Sequence, residues 1–152
     1  MSDQMVSGPY VQLATFCDMA IEDKSGALCI IRLIDRYTVT GQTPEIQPTP
    51  INLTLAFSLK AGLMSQRARI QIKPNTPSGK ELAAFEFNAL FEGNERGVQG
   101  IFPVRMVLHE EGLYWFDLRV DEQLLTRIPL RLLYQRIVTG GSTRGSDQAS
   151  PD

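Results

Sequence analysis

The stretch that decides the fold is Gly112-Leu113-Tyr114-Trp115-Phe116-Asp117-Leu118-Arg119-Val120, followed by Asp121-Glu122-Gln123 and then Leu124-Leu125-Thr126-Arg127-Ile128-Pro129-Leu130-Arg131-Leu132. Its hydrophobic residues recur with period two, the period of a strand with one buried face, and the polar break at 121–123 makes the pair a β-hairpin. A three-residue loop there places Tyr114, Phe116, Leu118 and Val120 on one face with Leu124, Thr126, Ile128 and Leu130. Trp115, Asp117 and Arg119 then share the opposite face with Leu125, Arg127 and Pro129, and Asp117 stands opposite Arg127. A two-residue loop would set Arg127 beside Phe116, and because a slip of one residue turns every side chain over, burial rejects that register.

Working outward, the same grammar recurs. Ile51, Leu53, Leu55, Phe57 and Leu59 alternate with small or polar residues, the pattern of a strand with one face in a core. Ala68, Ile70 and Ile72 alternate with Arg67, Arg69, Gln71 and Lys73. Turn residues at 74–79 then lead to a strand with Phe85, Phe87, Ala89 and Phe91 on one face, a second hairpin. Gly100–Leu108 alternates too, and Pro103 places it near an edge or a bulge. Val11–Met19 and Ala27–Val39 flank the turn Glu22-Asp-Lys-Ser-Gly26. Leu28–Ile34, apolar on both sides, is expected in the middle of a sheet, and Pro129 marks the last strand as an edge. The proline-rich segment 41–50 is expected to cross between sheets. About eight strands without a helical pattern point to an all-β antiparallel sandwich, Ig-like or C2-like, with a closed barrel as the alternative. The expected organisation is a disordered 1–9, one domain over 10–138 and a disordered tail over 139–152.

Composition narrows the function. The chain has 152 residues, 43% of them hydrophobic, and a net charge of −2 from 15 basic and 17 acidic residues, so no basic excess calls for nucleic acid or an anionic membrane. No apolar run reaches the roughly 20 residues of a membrane span, and no signal-peptide pattern opens the chain; a soluble, cytoplasmic protein is expected. Cys17 and Cys29 lie in apolar runs without a CxxC or Cys/His cluster and read as small core residues, leaving a structural zinc site without ligands. His109, the sole histidine, sits beside Glu110 and Glu111 and reads as a solvated rim residue. No glycine-rich phosphate loop is present. Asp18, Glu22 and Asp23, with Asp117 or Asp121, are too irregularly spaced to hold calcium, and no cofactor is expected.

The order Asp18-Met-Ala, the apolar strand with Ile34-Asp35, Ile51-Asn-Leu-Thr-Leu-Ala, Arg69-Ile-Gln-Ile and Glu111-Gly-Leu-Tyr-Trp-Phe before Val120-Asp121 and Arg127-Ile-Pro129 resembles an uncharacterised bacterial family of small β-sandwich domains, a domain of unknown function. The resemblance covers about residues 10–133. It implies the sandwich fold and brings no catalytic residue with it.

The remaining signals concern binding. Arg67, Arg69, Gln71 and Lys73 form a basic row, but without interleaved aromatics it reads as a solvated face rather than a nucleic-acid track. Trp115 shares the outward face with Leu113, Leu125, Arg119, Arg127 and Arg131, an aromatic rimmed by arginine, which is the composition of a binding hot spot. The expected function is therefore a non-enzymatic protein-binding or assembly module, engaging a protein partner or its own kind through this hairpin face or the sheet edge beside it. The alternative is a carbohydrate-type ligand stacked on Trp115 and held by Asp117 or Arg119.

Overall fold

The computed structural model describes residues 7–94 and 96–138; the expected disordered tail over 139–152, and most of the expected disordered 1–9, lie outside them. Nine strands run in order: β1 (Tyr10–Glu22), β2 (Leu28–Ile34), β3 (Arg36–Gly41), β4 (Thr49–Lys60), β5 (Ser65–Asn75), β6 (Phe85–Glu92), β7 (Gly97–Leu108), β8 (Gly112–Val120) and β9 (Gln123–Arg136). The chain is all-β among the described residues, and the strands form two sheets, β2-β1-β4-β7 and β3-β9-β8-β5-β6. No helix there is long and apolar enough to cross a membrane.

One core joins the two sheets. The alternating residues of β4 (Ile51, Leu53, Leu55, Phe57, Leu59), those of β5 (Ala68, Ile70, Ile72) and those of β8 (Tyr114, Phe116, Leu118, Val120) bury together in it. Phe16 of β1 meets Phe116 of β8 edge-on, with ring centroids 4.7 Å apart, a geometry that adds to the area each ring buries. The β5–β6 hairpin forms as expected, with Phe85, Phe87 and Ala89 packed against the core and Phe91 within it. The segment 41–50 crosses from the five-stranded sheet to the four-stranded one; Tyr134 pins it, its hydroxyl donating to the Thr43 carbonyl at 2.6 Å. Pro103 lies on β7, which is an edge.

The defining hairpin keeps its expected core register, with Tyr114 opposite Leu130, Phe116 opposite Ile128 and Asp117 opposite Arg127. Its loop differs. Asp121 and Glu122 both have positive φ, 45° and 70°, and Val120 pairs with Gln123, which is a two-residue turn of type I′. A bulge between Leu118 and Arg119 on one side, with Leu125 as the extra residue on the other, restores the parity that such a turn would otherwise invert. In consequence Leu124, expected in the core, is exposed, and Leu125, expected on the outward face, packs against the core. The turn is tied to β5 through Asp121, whose N–H donates to the Arg69 carbonyl and whose carboxylate accepts the Arg69 N–H, both at 2.9 Å.

Three further expectations are corrected. Residues 27–39 make two strands rather than one, broken at Asp35, and β2 and β3 enter different sheets. β2 is an edge, not a centre. β9 is flanked by β8 and by β3, which pairs in parallel with Arg131–Arg136 only; Pro129 lies just before that pairing, where its missing N–H costs no ladder bond.

The two-sided apolarity of β2 has another cause. Arg32 has a φ of 56° and pairs with Asp18 at 2.8 Å, and the Asp18 carbonyl accepts a bond from the Thr54 hydroxyl. At this level the β1–β2 hairpin bends across the outer face of its own sheet. Leu28 and Ile30 pack with Cys17, Ala20 and Ala56 in a second, smaller cluster, and Glu22 and Gly26 of the hairpin tip border a depression shared with Ser58, Lys60, Gly97 and Gln99. The opposite side of the hairpin, with Met19, Ile21, Cys29 and Ile31, is left exposed; Cys29 is thus not a core residue, whereas Cys17 is buried as expected.

Two outcomes test this account. Phe116→Ala should lower unfolding free energy by about 3–5 kcal/mol, since it removes a ring from the contact between sheets, read from urea titrations. Glu122→Gly should raise it by about 1 kcal/mol, because glycine takes the left-handed conformation without the penalty that glutamate bears.

Candidate functional site

The outer face of the five-stranded sheet carries the residues that the sequence singles out. In register, Leu113 stands opposite Arg131, Trp115 opposite Pro129 and Asp117 opposite Arg127, while Arg36 of β3 pairs with Arg131. Trp115 is half-buried and Leu113 likewise. Asp117 is only 8% exposed, and a carboxylate so enclosed requires a partner. Arg127 supplies it through Nε at 2.7 Å, with Arg119 at 3.9 Å. The same Arg127 guanidinium lies 5.0 Å from the centre of the Trp115 ring, a cation–π contact. The structure therefore gathers Leu113, Trp115, Arg119, Arg127 and Arg131 on one face. Leu125 is not among them, for the bulge turns it to the core. Arg131 has no carboxylate partner among the described residues, and the nearest charge to Arg36 is the exposed Asp35 at 3.5 Å.

The neighbouring basic row is compensated at Arg69 and Lys73, while Arg67 has no carboxylate partner among the described residues. Arg69 lies 3.9 Å from Glu86 and 3.6 Å from Glu122, Lys73 pairs with Glu81 at 2.7 Å and Gln71 donates to Glu86. Such exposed pairs contribute little stability, but they reduce the unbalanced charge that a phosphate backbone would need.

His109 occupies a different place, the rim of a cavity of about 110 Å³ lined also by Thr76, Lys80, Leu82, Glu110 and Tyr114. Its architecture is structural. The buried Tyr114 hydroxyl donates to the Glu110 carbonyl at 2.7 Å and accepts the Glu110 N–H at 3.2 Å. Ser78 donates to the Glu110 carboxylate at 3.0 Å, and this bond, followed by those of Thr76 and the charge of Lys80, holds that carboxyl below its ordinary range. A Cβ on Gly112, whose φ is 133°, would meet the Pro77 ring at 2.9 Å, so only glycine lets the 74–80 loop close on β8. A second depression of about 360 Å³ between β6 and β7 is lined by the half-buried Phe87 and Phe102 over the fully buried Phe57; the three rings stack, with centroids 5.7 and 6.1 Å apart. No group of three His, Cys, Asp or Glu residues placed to hold a metal occurs among the described residues. In the β1–β2 turn the Asp23 carboxylate is spent on Ser25 and on the Ala27 N–H, and its pKa is lowered by them, the Ser25 hydroxyl foremost.

The exposed side of the β1–β2 hairpin was not legible as a surface, because nothing in Leu28–Ile34 distinguishes a strand sandwiched in a sheet from one lying on its own sheet's back. The one available signal is Arg32, a charge in the middle of an apolar run.

Fold and face together define an all-β chain of two sheets with an aromatic–arginine surface. The chain belongs to a family of unknown function, DUF6941, whose model matches residues 12–133. No curated protein matches. A solved structure that it is similar to is the Pseudomonas fluorescens alkylpurine DNA glycosylase AlkC bound to DNA containing an abasic site analog, with a TM-score of 0.46 and 9% identity over 84% of this chain and 31% of that one.

Tyr114 gives a titration test. Burial raises its pKa above the ordinary tyrosine value of about 10, the bond from Glu110 opposing the shift only in part. The neutral phenol is the form the fold favours, so its contribution is complete below that ordinary value and is lost as pH rises through the higher, folded one. Tyr114→Phe should cost about 1–3 kcal/mol at neutral pH, where the Glu110 N–H and carbonyl lose their partner, and should blunt the alkaline loss of stability seen in the wild type. With a thiol reagent on dilute native protein at mildly alkaline pH, Cys29 should react at once and Cys17, whose pKa burial raises, only after unfolding.

Proposed function

We propose that the two sheets form a β-sandwich that serves as a non-enzymatic protein-binding module, and that its partner docks on the Trp115 face. The observation that carries this reading is the surplus of arginine around an accessible indole: Asp117 is already matched by Arg127 and Arg119, whereas Arg131, opposite Leu113, has no carboxylate partner among the described residues. Aromatic and arginine side chains in this arrangement are those that dominate binding energy at protein interfaces. A net positive, partly apolar face fits an acidic segment carrying an apolar anchor. The Tyr114 hydroxyl bonded back to Glu110 resembles the corner found in Ig-like sandwiches, whose sheet faces and loops present binding surfaces, and this supports the reading. Against the carbohydrate alternative stands Arg127, which occupies a face of the indole on which a sugar would stack, and Asp117, which is largely buried and whose Oδ1 accepts from Arg127.

Affinity capture from lysate of the native host tests the proposal, with Trp115→Ala and Arg131→Glu run in parallel. A protein recovered in stoichiometric amount with wild type should be lost from both variants, with melting temperatures lowered by no more than a few degrees. A large loss of thermal stability for Trp115→Ala with capture unchanged would make Trp115 a packing residue and end the reading.

A further inference from the structure

We propose that the depression between the tip of the bent β1–β2 hairpin and the outer face of its own sheet binds a small zwitterion, a free amino acid with one ammonium and one carboxylate. The depression has a volume of about 280 Å³ and is lined by Glu22, Gly26, Ser58, Lys60, Gly97 and Gln99. Ordinary small-molecule pockets span roughly 300–1,000 Å³ and are mostly apolar. This one lies just below that range, and none of its six residues is hydrophobic, so its occupant is small and polar.

The sheet supplies four of the six. On its outer face Ser58 of β4 stands opposite Gln99 of β7, and Lys60 stands opposite Gly97. Gly97 brings no side chain over the lysine, whose Nζ lies 3.6 Å from the point that a Cβ there would occupy. The hairpin supplies the other two, Glu22 at the end of β1 and Gly26 in the turn, with Glu22 Oε1 3.7 Å from the corresponding point on Gly26. The two charges thus reach the depression from different elements. No ion pair joins Glu22 to Lys60, and neither has an oppositely charged partner among the described residues.

The chemistry of the walls selects the ligand. Ser58 is only 5% exposed, and its hydroxyl donates to Gln12 Oε1 at 3.0 Å. A hydroxyl has one proton, so toward the depression Ser58 only accepts, as the Glu22 carboxylate does. These two acceptors suit an ammonium. Lys60 only donates, and the Gln99 amide can donate beside it, which suits a carboxylate. A simple anion is repelled by Glu22 and a simple cation by Lys60, whereas a molecule bearing both charges is matched at each.

Nuclear magnetic resonance titration of the isotopically labelled full chain with each of the standard amino acids tests this. At least one should bind with a dissociation constant below about 10 mM, moving the amide signals of Gly26, Ser58, Gly97 and Gln99. The same amino acid with its amine acetylated, or with its carboxyl converted to an amide, should bind at least tenfold more weakly, a comparison that needs no variant. Glu22→Gln and Lys60→Gln, both conservative changes at the surface, should each weaken binding by a similar factor with melting temperatures unchanged. Trp115→Ala should bind the amino acid as wild type does, which separates this site from the partner-binding reading. Absence of these shifts for every amino acid at 10 mM, or binding that survives removal of either charge from the ligand or from the protein, would overturn the proposal.

Discussion

Everything in this fold hangs on the side-chain parity of β8. It is the middle strand of the five-stranded sheet, hydrogen-bonded to β9 on one side and β5 on the other, and it drives Tyr114, Phe116, Leu118 and Val120 into the space between sheets. The edge-on contact of Phe116 with Phe16 joins that strand to β1 across the core. Because period two allows no compromise, fixing one face of β8 as apolar fixes the other as the place for Trp115, Asp117 and Arg119. The buried Asp117 is a direct result, and so is its capture of Arg127, which in turn sets a guanidinium on the indole.

The strongly alternating segments were legible because alternation is a physical statement about which side meets water. The cores of β4, β5, β6 and β8 and the pairing of Asp117 with Arg127 follow from it without further information. Loop chemistry was less legible. Asp121-Glu122 lacks the glycine that usually announces a type I′ turn, and the tertiary bonds of Asp121 to Arg69 hold a conformation that local preference disfavours. The resulting bulge exchanged the environments of Leu124 and Leu125, so one member of the expected surface moved to the core.

β2 failed for a different reason. Apolarity on both sides reports that two surfaces avoid water, and it does not report what covers them. In this structure one side is covered by the back of the same sheet, through a bend at Asp18 and Arg32 that no periodicity encodes. The same limit explains Cys29, which lies in an apolar run yet faces outward. As for the Trp115 face, parity placed its residues together, but the compensation of charge across strands depends on which strands are neighbours, and that is a property of topology.

The parallel pairing of β3 with β9 joins residues 36–41 to residues 131–136, far apart along the described chain. During synthesis, β3 must wait for almost a hundred further residues before its only neighbour in the sheet exists. Loop closure over that distance is slow and entropically costly, so the five-stranded sheet is completed last. Until then the segment 35–48 lacks the hydrogen bonds that tie it to β9, since Asp35 accepts from Arg131, Thr43 from Tyr134 and Gln42 from Arg136. The fold is in this sense sealed from its C-terminal strand, and a nascent chain short of that strand presents an unfinished sheet to its surroundings.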